Sequence, residues 1–539
     1  MTTATLPAAE AAEAPVEPPD LTGRPLPPGL QTWRPDSNLS SWAWTLAITV
    51  IAGVIRFWAL GFPPGKSFDE VYYATEGQEM LRYGYEDNPG YMFIVHPPLG
   101  KWLIALGSAM FGNNSFGWRV IPALAGTLCV TMLVRVAIRM FRSVILGVVA
   151  GALLAMEGIS VVISRVALLD IFLQFFILAG FVALVIDRDR LREKLAGLYE
   201  AGVDLSAGVP ALGPRPWRLL GGVTLGLSFG VKWSALSFWA GFALLSILWD
   251  RGAFKSAGVE QPWLAVLKRS FIPWGFSLGA TAGATYLLTW LGWFVGENSW
   301  NRHWGDTHPG TGLFAWLPSG IRSLLDYHHQ AYKFHSHLYD PHPYKANPWS
   351  WLVLGRPISF YAPADVTGCG ATNCTREILC IGTPIMYWAF VPALLWLAWH
   401  WATTRDWRAG AVWMAFLAGW GVWLQNQRRT GFIFYMTPLM PYLILGLTLA
   451  IGVLLTRTRA ERAIKPLELD LAEGEVRSVG IREWIAVQGM SWNHLLRIGF
   501  VTLWFGAVVA DFVWMWPIFT GGMLTNEQWH ERMWFPSWI

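Results

Sequence analysis

Apolar residues in this chain run in blocks too long for the helices of an ordinary soluble core. Trp42 to Leu60 opens the series. About twenty apolar residues at 1.5 Å each cross the hydrocarbon core of a bilayer. On that yardstick the pattern predicts about eleven spanning helices. They lie at roughly 42–61, 118–140, 143–163, 167–187, 217–232, 234–250, 271–296, 384–402, 409–425, 431–456 and 495–517. Trp217 to Trp249 is one apolar run, long for a single span and short for two, and it is read as two. The stretch "PLGKWLIALGSAMFG", 98–112, is apolar but short and reads as a helix lying at the interface. Residues 1–38 are rich in Ala, Pro and Glu with no apolar period, and read as a disordered tail. The first apolar run begins far from Met1 and is long enough to span, so it is not a cleavable signal. The fold class is an all-α polytopic membrane protein, with its membrane domain over 39–517 and a tail over 518–539.

Basic residues set the orientation. Arg135, Arg139 and Arg142 follow the second span; Arg188, Arg190, Arg192 and Lys194 the fourth; Arg251, Lys255, Lys268 and Arg269 the sixth. Arg405 and Arg408 follow the eighth, and Arg457, Arg459 and Arg462 the tenth. All these loops share the side of the N-terminus, which is therefore expected to be cytoplasmic. Three segments fall outside: a loop at about 62–117, a loop at about 297–383, and the tail ending "MWFPSWI".

Composition agrees. The chain has 539 residues, 54% of them hydrophobic and 14% charged, where a soluble domain carries about a quarter charged. Mean hydropathy is +0.36. Thirty-five Trp suit membrane interfaces. A net charge of +4 gives no case for a nucleic-acid partner.

The polar residues that break the orientation rule are the candidates for chemistry, because ionisable groups near a membrane usually pair or serve a function. Arg165 stands in "SRVALLD" between spans three and four, with Asp170 just after it. Lys232 stands in "GVKWSAL", and Arg428 with Arg429 in "NQRRTGFIFY". All sit at outer helix ends, where they can converge on one phosphate. Structural alternatives stand beside each: an Arg165–Asp170 salt bridge between spans, Lys232 snorkelling to headgroups, and the arginine pair on anionic lipid. Asp69 and Glu70 follow the breaker "PPGK" and open an amphipathic helix, "EVYYATEGQEML". They either cap that helix or supply a base beside the cationic cluster.

The segments "FDEVYYA", "HPPLGKWLI", "SRVALLD", "GVKWSAL", "HPYKANPWSWLVLGRPISFY" and "MWFPSW" together resemble the protein O-mannosyltransferases. The matches spread over nearly the whole chain. The resemblance implies a GT-C type glycosyltransferase with eleven spans and a polyprenyl- or dolichyl-phosphate-mannose donor. It implies Ser/Thr acceptors on exported proteins, met during translocation, and inversion at the sugar. On it Asp69 is the base and Glu70 its neighbour at the acceptor site, while Arg165 and Lys232 match positions near the donor phosphate. Arg428 and Arg429 are added from topology alone. Asp170, His96, His342 and Tyr344 are the further candidates for substrate contact. Eukaryotic members carry a β-trefoil insert for which the second outer loop is too short, so the chain resembles the bacterial, actinobacterial form. The expected location is the cell membrane.

Other signals are weaker. Eight of the eleven His fall in the outer loops, but no Cys or carboxylate spacing completes a metal site, and neither metal nor cofactor is expected. Cys369, Cys374 and Cys380 lie outside, where one pair can form a disulfide; which pair is left open. Two other readings remain: transfer of a different sugar, such as arabinose, from a similar lipid, and a transporter or lipid-binding protein. A transporter predicts charges deep within spans and repeated halves, neither of which is evident.

Overall fold

The computed structural model describes residues 25–32, 39–87, 95–312, 315–463 and 490–539. These divide into two compact units, each with its own core.

The smaller unit comprises the described part of Met1–Thr32, with Arg188–Pro214 and Ile247–Pro273. Leu30, Leu191, Leu195, Leu205, Phe254 and Val266 form its buried cluster. Arg192 Nε donates to the Gly29 carbonyl at 3.0 Å. The expectation of a disordered tail is thus corrected for 25–32, where Leu30 is fully buried; the rest of that tail lies outside the described residues.

The larger unit is helical. Its first elements are α1 (Leu39–Phe57), α2 (Glu70–Tyr83), α3 (Leu99–Phe111), α4 (Ser115–Phe141), α5 (Val144–Ala155), α6 (Gly158–Ser164) and, up to Asp187, α7 (Asp170–Glu200). α8 (Pro216–Phe229) and, up to Ser246, α9 (Ala235–Ser256) follow. α1, α4 and α5 pack together, α3 lies on α4, and α2 on α3. Close approach explains some glycines: a Cβ on Gly107 would stand 2.3 Å from the Gly117 carbonyl. Among the described residues, sheet is confined to two short antiparallel ladders, β1 (Ile358–Tyr361) with β3 (Ile378–Cys380), and β2 (Cys374–Arg376) with β4 (Met523–Thr525).

Every expected span falls on helix, and the spans differ in continuity. Among the described residues six helices are long and apolar enough to cross a membrane, or seven with one bent pair. That pair is α5 and α6, bent by 61°. Glu157 makes the break, since its carboxylate caps α6 by accepting from the Ile159 and Ser160 amides at 3.1 and 2.6 Å. The segment 271–296 is divided into four consecutive helical pieces, the second a π-helix. α8 and Trp407–Trp420 are short, at 14 residues each. The 98–112 stretch is the 13-residue α3.

Cys369 and Cys374 form a disulfide, and Cys380 is buried and free. The aromatic tail packs inward: Trp538 is buried and its indole donates to the Leu354 carbonyl at 2.7 Å.

Candidate active site

The carboxylates Asp69 and Glu70 are adjacent in sequence and have different surroundings. Glu70 is fully buried with Arg119, whose Nε and Nη2 each reach its carboxylate at 2.7 Å. The same carboxylate accepts from the Ser67 amide at 2.8 Å and the Ala167 amide at 2.7 Å. Arg119 also donates to the Pro63 and Gly65 carbonyls, at 2.8 and 3.1 Å. Such a pair is sound only when every partner is present. Glu70 therefore ties the first loop to α4 and to the turn before α7. The expectation that it meets substrate is corrected, because four donors already occupy its oxygens. Sequence reasoning missed Arg119. Its signal was an arginine at the end of an apolar run.

Asp69 precedes α2 without capping it: it makes no side-chain cap bond. Among the described residues its carboxylate accepts one hydrogen bond, a long one from the Tyr73 hydroxyl at 3.5 Å. Burial pushes its carboxyl up to about 6; Lys232 draws it down and Asp170 adds to the rise. A carboxyl held there is near the middle of the useful range for a general base.

Lys232 lies between α8 and α9, and Asp170 opens α7. Lys232 Nζ donates to Asp170 Oδ2 at 2.8 Å, with both side chains nearly buried. This contact replaces the expected alternatives, a snorkelling Lys232 and an Arg165–Asp170 bridge. Arg165 Nη1 instead donates to the carbonyls of Ile55, Arg56 and Trp58, at 3.3, 3.0 and 2.6 Å. It ties down the end of α1.

Lys232 and Asp170 line a cavity of about 330 Å³, together with His96, His335, Tyr332, Asn426, Arg429 and Tyr435. Arg429 Nε donates to the His335 carbonyl at 3.1 Å, and its guanidinium lies over the Trp423 ring at 5.3 Å. His335 Nε2 faces the Val95 carbonyl at 2.7 Å, so Nε2 carries the hydrogen. Its Nδ1 is left to accept from Arg429 Nη2 at 3.4 Å. Burial holds His96 well below the usual histidine range and His335 at about 4. Both rings are neutral near pH 7, 5.1 Å apart, and suited to hydroxyl groups rather than to phosphate charge. Leu173 and Phe238 also line the cavity, each about one turn further along α7 and α9 than Asp170 and Ser234. The cavity thus joins an apolar wall, a cationic pair and neutral polar groups.

Two expected cations are not brought in. Arg165 and Arg428 are not among the lining residues. Arg165 reaches back to α1, while Arg428 is exposed and its carbonyl accepts from Lys345 Nζ at 2.8 Å. His342 and Tyr344 are also off the cavity. The His342 ring packs edge-on against Phe432 at 4.9 Å and Phe68 at 6.4 Å; Tyr344 lies under Arg356 at 5.3 Å. Among the described residues no group of three or more His, Cys, Asp or Glu is placed to hold a metal ion.

A helical bundle of this kind is the GT-C glycosyltransferase fold. The chain is similar to the solved S. cerevisiae protein O-mannosyltransferase Pmt1-Pmt2 complex bound to the sugar donor, with a TM-score of 0.68 over 93% of each chain and 14% identity. That likeness is one of fold. Sequence goes further. The family model for dolichyl-phosphate-mannose-protein mannosyltransferase matches residues 46–211, and that for the C-terminal four-TMM region of protein-O-mannosyltransferase matches 321–538. The chain is 35% identical over 540 residues to the polyprenol-phosphate-mannose–protein mannosyltransferase of Mycobacterium tuberculosis, covering 98% of both. It is 33% identical over 531 residues to the protein of that name from Corynebacterium glutamicum, covering 95% and 96%. The chain belongs to the protein O-mannosyltransferase family, a family of glycosyltransferases.

Proposed function

We propose that this chain transfers mannose from a polyprenyl-phosphate-mannose donor to the hydroxyl of Ser or Thr in exported polypeptides, with inversion at the sugar carbon. The observation that supports the reading is the charge coupling of Asp69, a carboxyl with a raised proton affinity, to Lys232 and Asp170. Asp69 itself is not among the cavity's lining residues, but those two partners are, and the cavity suits an amphiphilic phosphate. Asp69 takes the proton of the acceptor hydroxyl as its oxygen bonds to the anomeric carbon. The bond from that carbon to the phosphate oxygen breaks on the opposite face, and the lipid phosphate leaves with the electron pair. Lys232 and Arg429 offset the charge that gathers on the phosphate. His96, His335 and Asn426 offer neutral partners for sugar hydroxyls, and Leu173 and Phe238 an apolar wall for the first isoprene units. Asp170 orients Lys232. Glu70, Arg119 and Arg165 hold the loop and helix ends in place, and His342 and Tyr344 support the acceptor side.

The reading places the cavity on the outer face of the cell membrane, with the arginine-rich loops in the cytoplasm. The test is Asp69→Asn, assayed with labelled donor and a Ser/Thr peptide. Transfer is expected to fall by about 10²–10⁴ while the lipid donor still binds. Near-normal transfer would remove Asp69 from the role of base.

A further inference from the structure

The residue before Asp69 is in an unusual state. Phe68 has a backbone φ of 51°, in the left-handed region where a Cβ crowds the chain. An aromatic side chain gains nothing locally from that conformation, so something outside the loop must hold it there.

The ring of Phe68 shows what does. It packs on Phe360 of β1 at 5.2 Å, on Phe432 and Phe434 at 6.0 Å each, and on His342 at 6.4 Å. Three of the four contacts are edge-on, the favourable arrangement for aromatic pairs. The partners come from three separate stretches of sequence. Phe434 then reaches the other half of the site: Lys232 Nζ stands 5.9 Å from its ring centroid, and also 5.9 Å from that of Tyr435. One ring therefore touches both the residue next to the carboxylate and the amine facing the cavity.

The left-handed turn has a geometric use. Glu70 must point into the Arg119 pocket, while Asp69 must stay clear of it and near Tyr73. Reversal of the chain at Phe68 lets neighbouring carboxylates take up these separate places.

We propose that Phe68 is a positioning residue, whose aromatic clasp with Phe434 fixes the Asp69 carboxylate relative to the Lys232 ammonium. This rests on Asp69 being the base. Phe68 touches no reacting atom in that scheme; it acts through the backbone it shares with Asp69 and through Phe434. We assign to the clasp a second effect, shielding the neighbouring carboxyl from water and so sustaining the burial that raises its proton affinity.

The experiment compares Phe68→Gly, Phe68→Tyr and Asp69→Asn in the purified full chain, using the lipid donor and a Ser/Thr peptide. Glycine adopts the same φ freely, so Phe68→Gly removes the ring without opposing the turn. Phe68→Gly is expected to lower kcat by on the order of 10²-fold, the cost of about an ångström of misplacement, with the donor KM nearly unchanged. The acid limb of its pH profile should move from near 6 down toward the ordinary carboxylate range, as water reaches Asp69. Phe68→Tyr, which keeps the ring, should restore both. Phe434→Leu should show the same fall in kcat and the same shift of the acid limb, and stands in if Phe68→Gly does not fold. A Phe68→Gly or Phe434→Leu enzyme with unchanged kcat, or with a loss confined to the amount of folded protein and an unmoved acid limb, overturns the proposal. An inactive Asp69→Asn beside an unimpaired Phe68→Gly sinks the clasp and leaves the base standing. An active Asp69→Asn sinks the base, and the clasp with it.

Discussion

Lys232 and Asp170 allow a decision between a cation that serves the substrate and one that only neutralises its neighbour. Their charged atoms lie 2.8 Å apart, with side chains 9% and 3% exposed. At an effective dielectric of about 20, unit charges at that separation attract by roughly 6 kcal/mol, much of which offsets their removal from water. Lys232→Met therefore strands a buried carboxylate, at a cost of about 3–5 kcal/mol in stability. Adding Asp170→Asn removes the stranded charge, and the double variant should regain most of that loss. Transfer should not follow. Without Lys232 the departing phosphate keeps only Arg429 as countercharge, and such a loss lowers turnover by about 10²–10³. The pH profile gives an independent readout, because Lys232 draws the Asp69 carboxyl down and Asp170 pushes it up. In Lys232→Met the acid limb should rise above its position near 6, and in the double variant it should come back down. The assay is thermal unfolding of the purified proteins alongside labelled mannose transfer over a pH series. A double variant that regained both stability and turnover would refute the reasoning, and Lys232 would be only the counterion of Asp170.

Asp69→Asn carries a second consequence besides lost transfer. Its folded carboxyl titrates near 6 rather than 3.8, so the fold pays for the charge above about pH 6 and not below pH 4. The variant should melt higher than the parent at pH 7, with the gain fading as pH falls toward 4; an equal gain at every pH would contradict the shift. Glu70→Gln should behave in the opposite way, losing about 3–5 kcal/mol because Arg119 is left without its counterion, and a melting curve like the parent's would show that the buried pair matters little. Transfer should survive thorough chelation, since Lys232 and Arg429 supply the positive charge; loss restored by Mg²⁺ or Mn²⁺ but not by monovalent salt would assign that charge to a metal.

The positions of the helices were legible because a run of about twenty apolar residues has few other uses. Their continuity was not. Glu157 sits inside the expected span 143–163, and hydropathy averages it away; the structure uses its carboxylate to start α6 at a 61° bend. The expected span 271–296 reads as uniformly apolar, yet it changes helix type at Gly275 and breaks again at Trp290. Such changes depend on which neighbours satisfy the freed backbone groups, and a sequence does not name neighbours.

The same limit governs the site. The residue types stood out one by one, because charge beside a membrane is costly enough to be noticed. Their partners did not. Asp170 is five residues from Arg165 and sixty-two from Lys232, yet its ion pair is with Lys232. Sequence distance favoured the wrong cation because closing a long loop adds little to a cost already met by folding the bundle. Asp69 and Glu70 show the converse. As neighbours they invited a shared role, but successive residues at a helix start point in different directions. One carboxylate is held by four hydrogen-bond donors, and the other by a single long contact from Tyr73. A group whose bonds are all satisfied holds the structure in place. A carboxylate kept half-buried and nearly unbonded retains free acceptor capacity, which a base requires. On that criterion the two acids divide into a positioning residue and a candidate catalyst, a division that only the geometry of Arg119 and the Ala167 amide reveals.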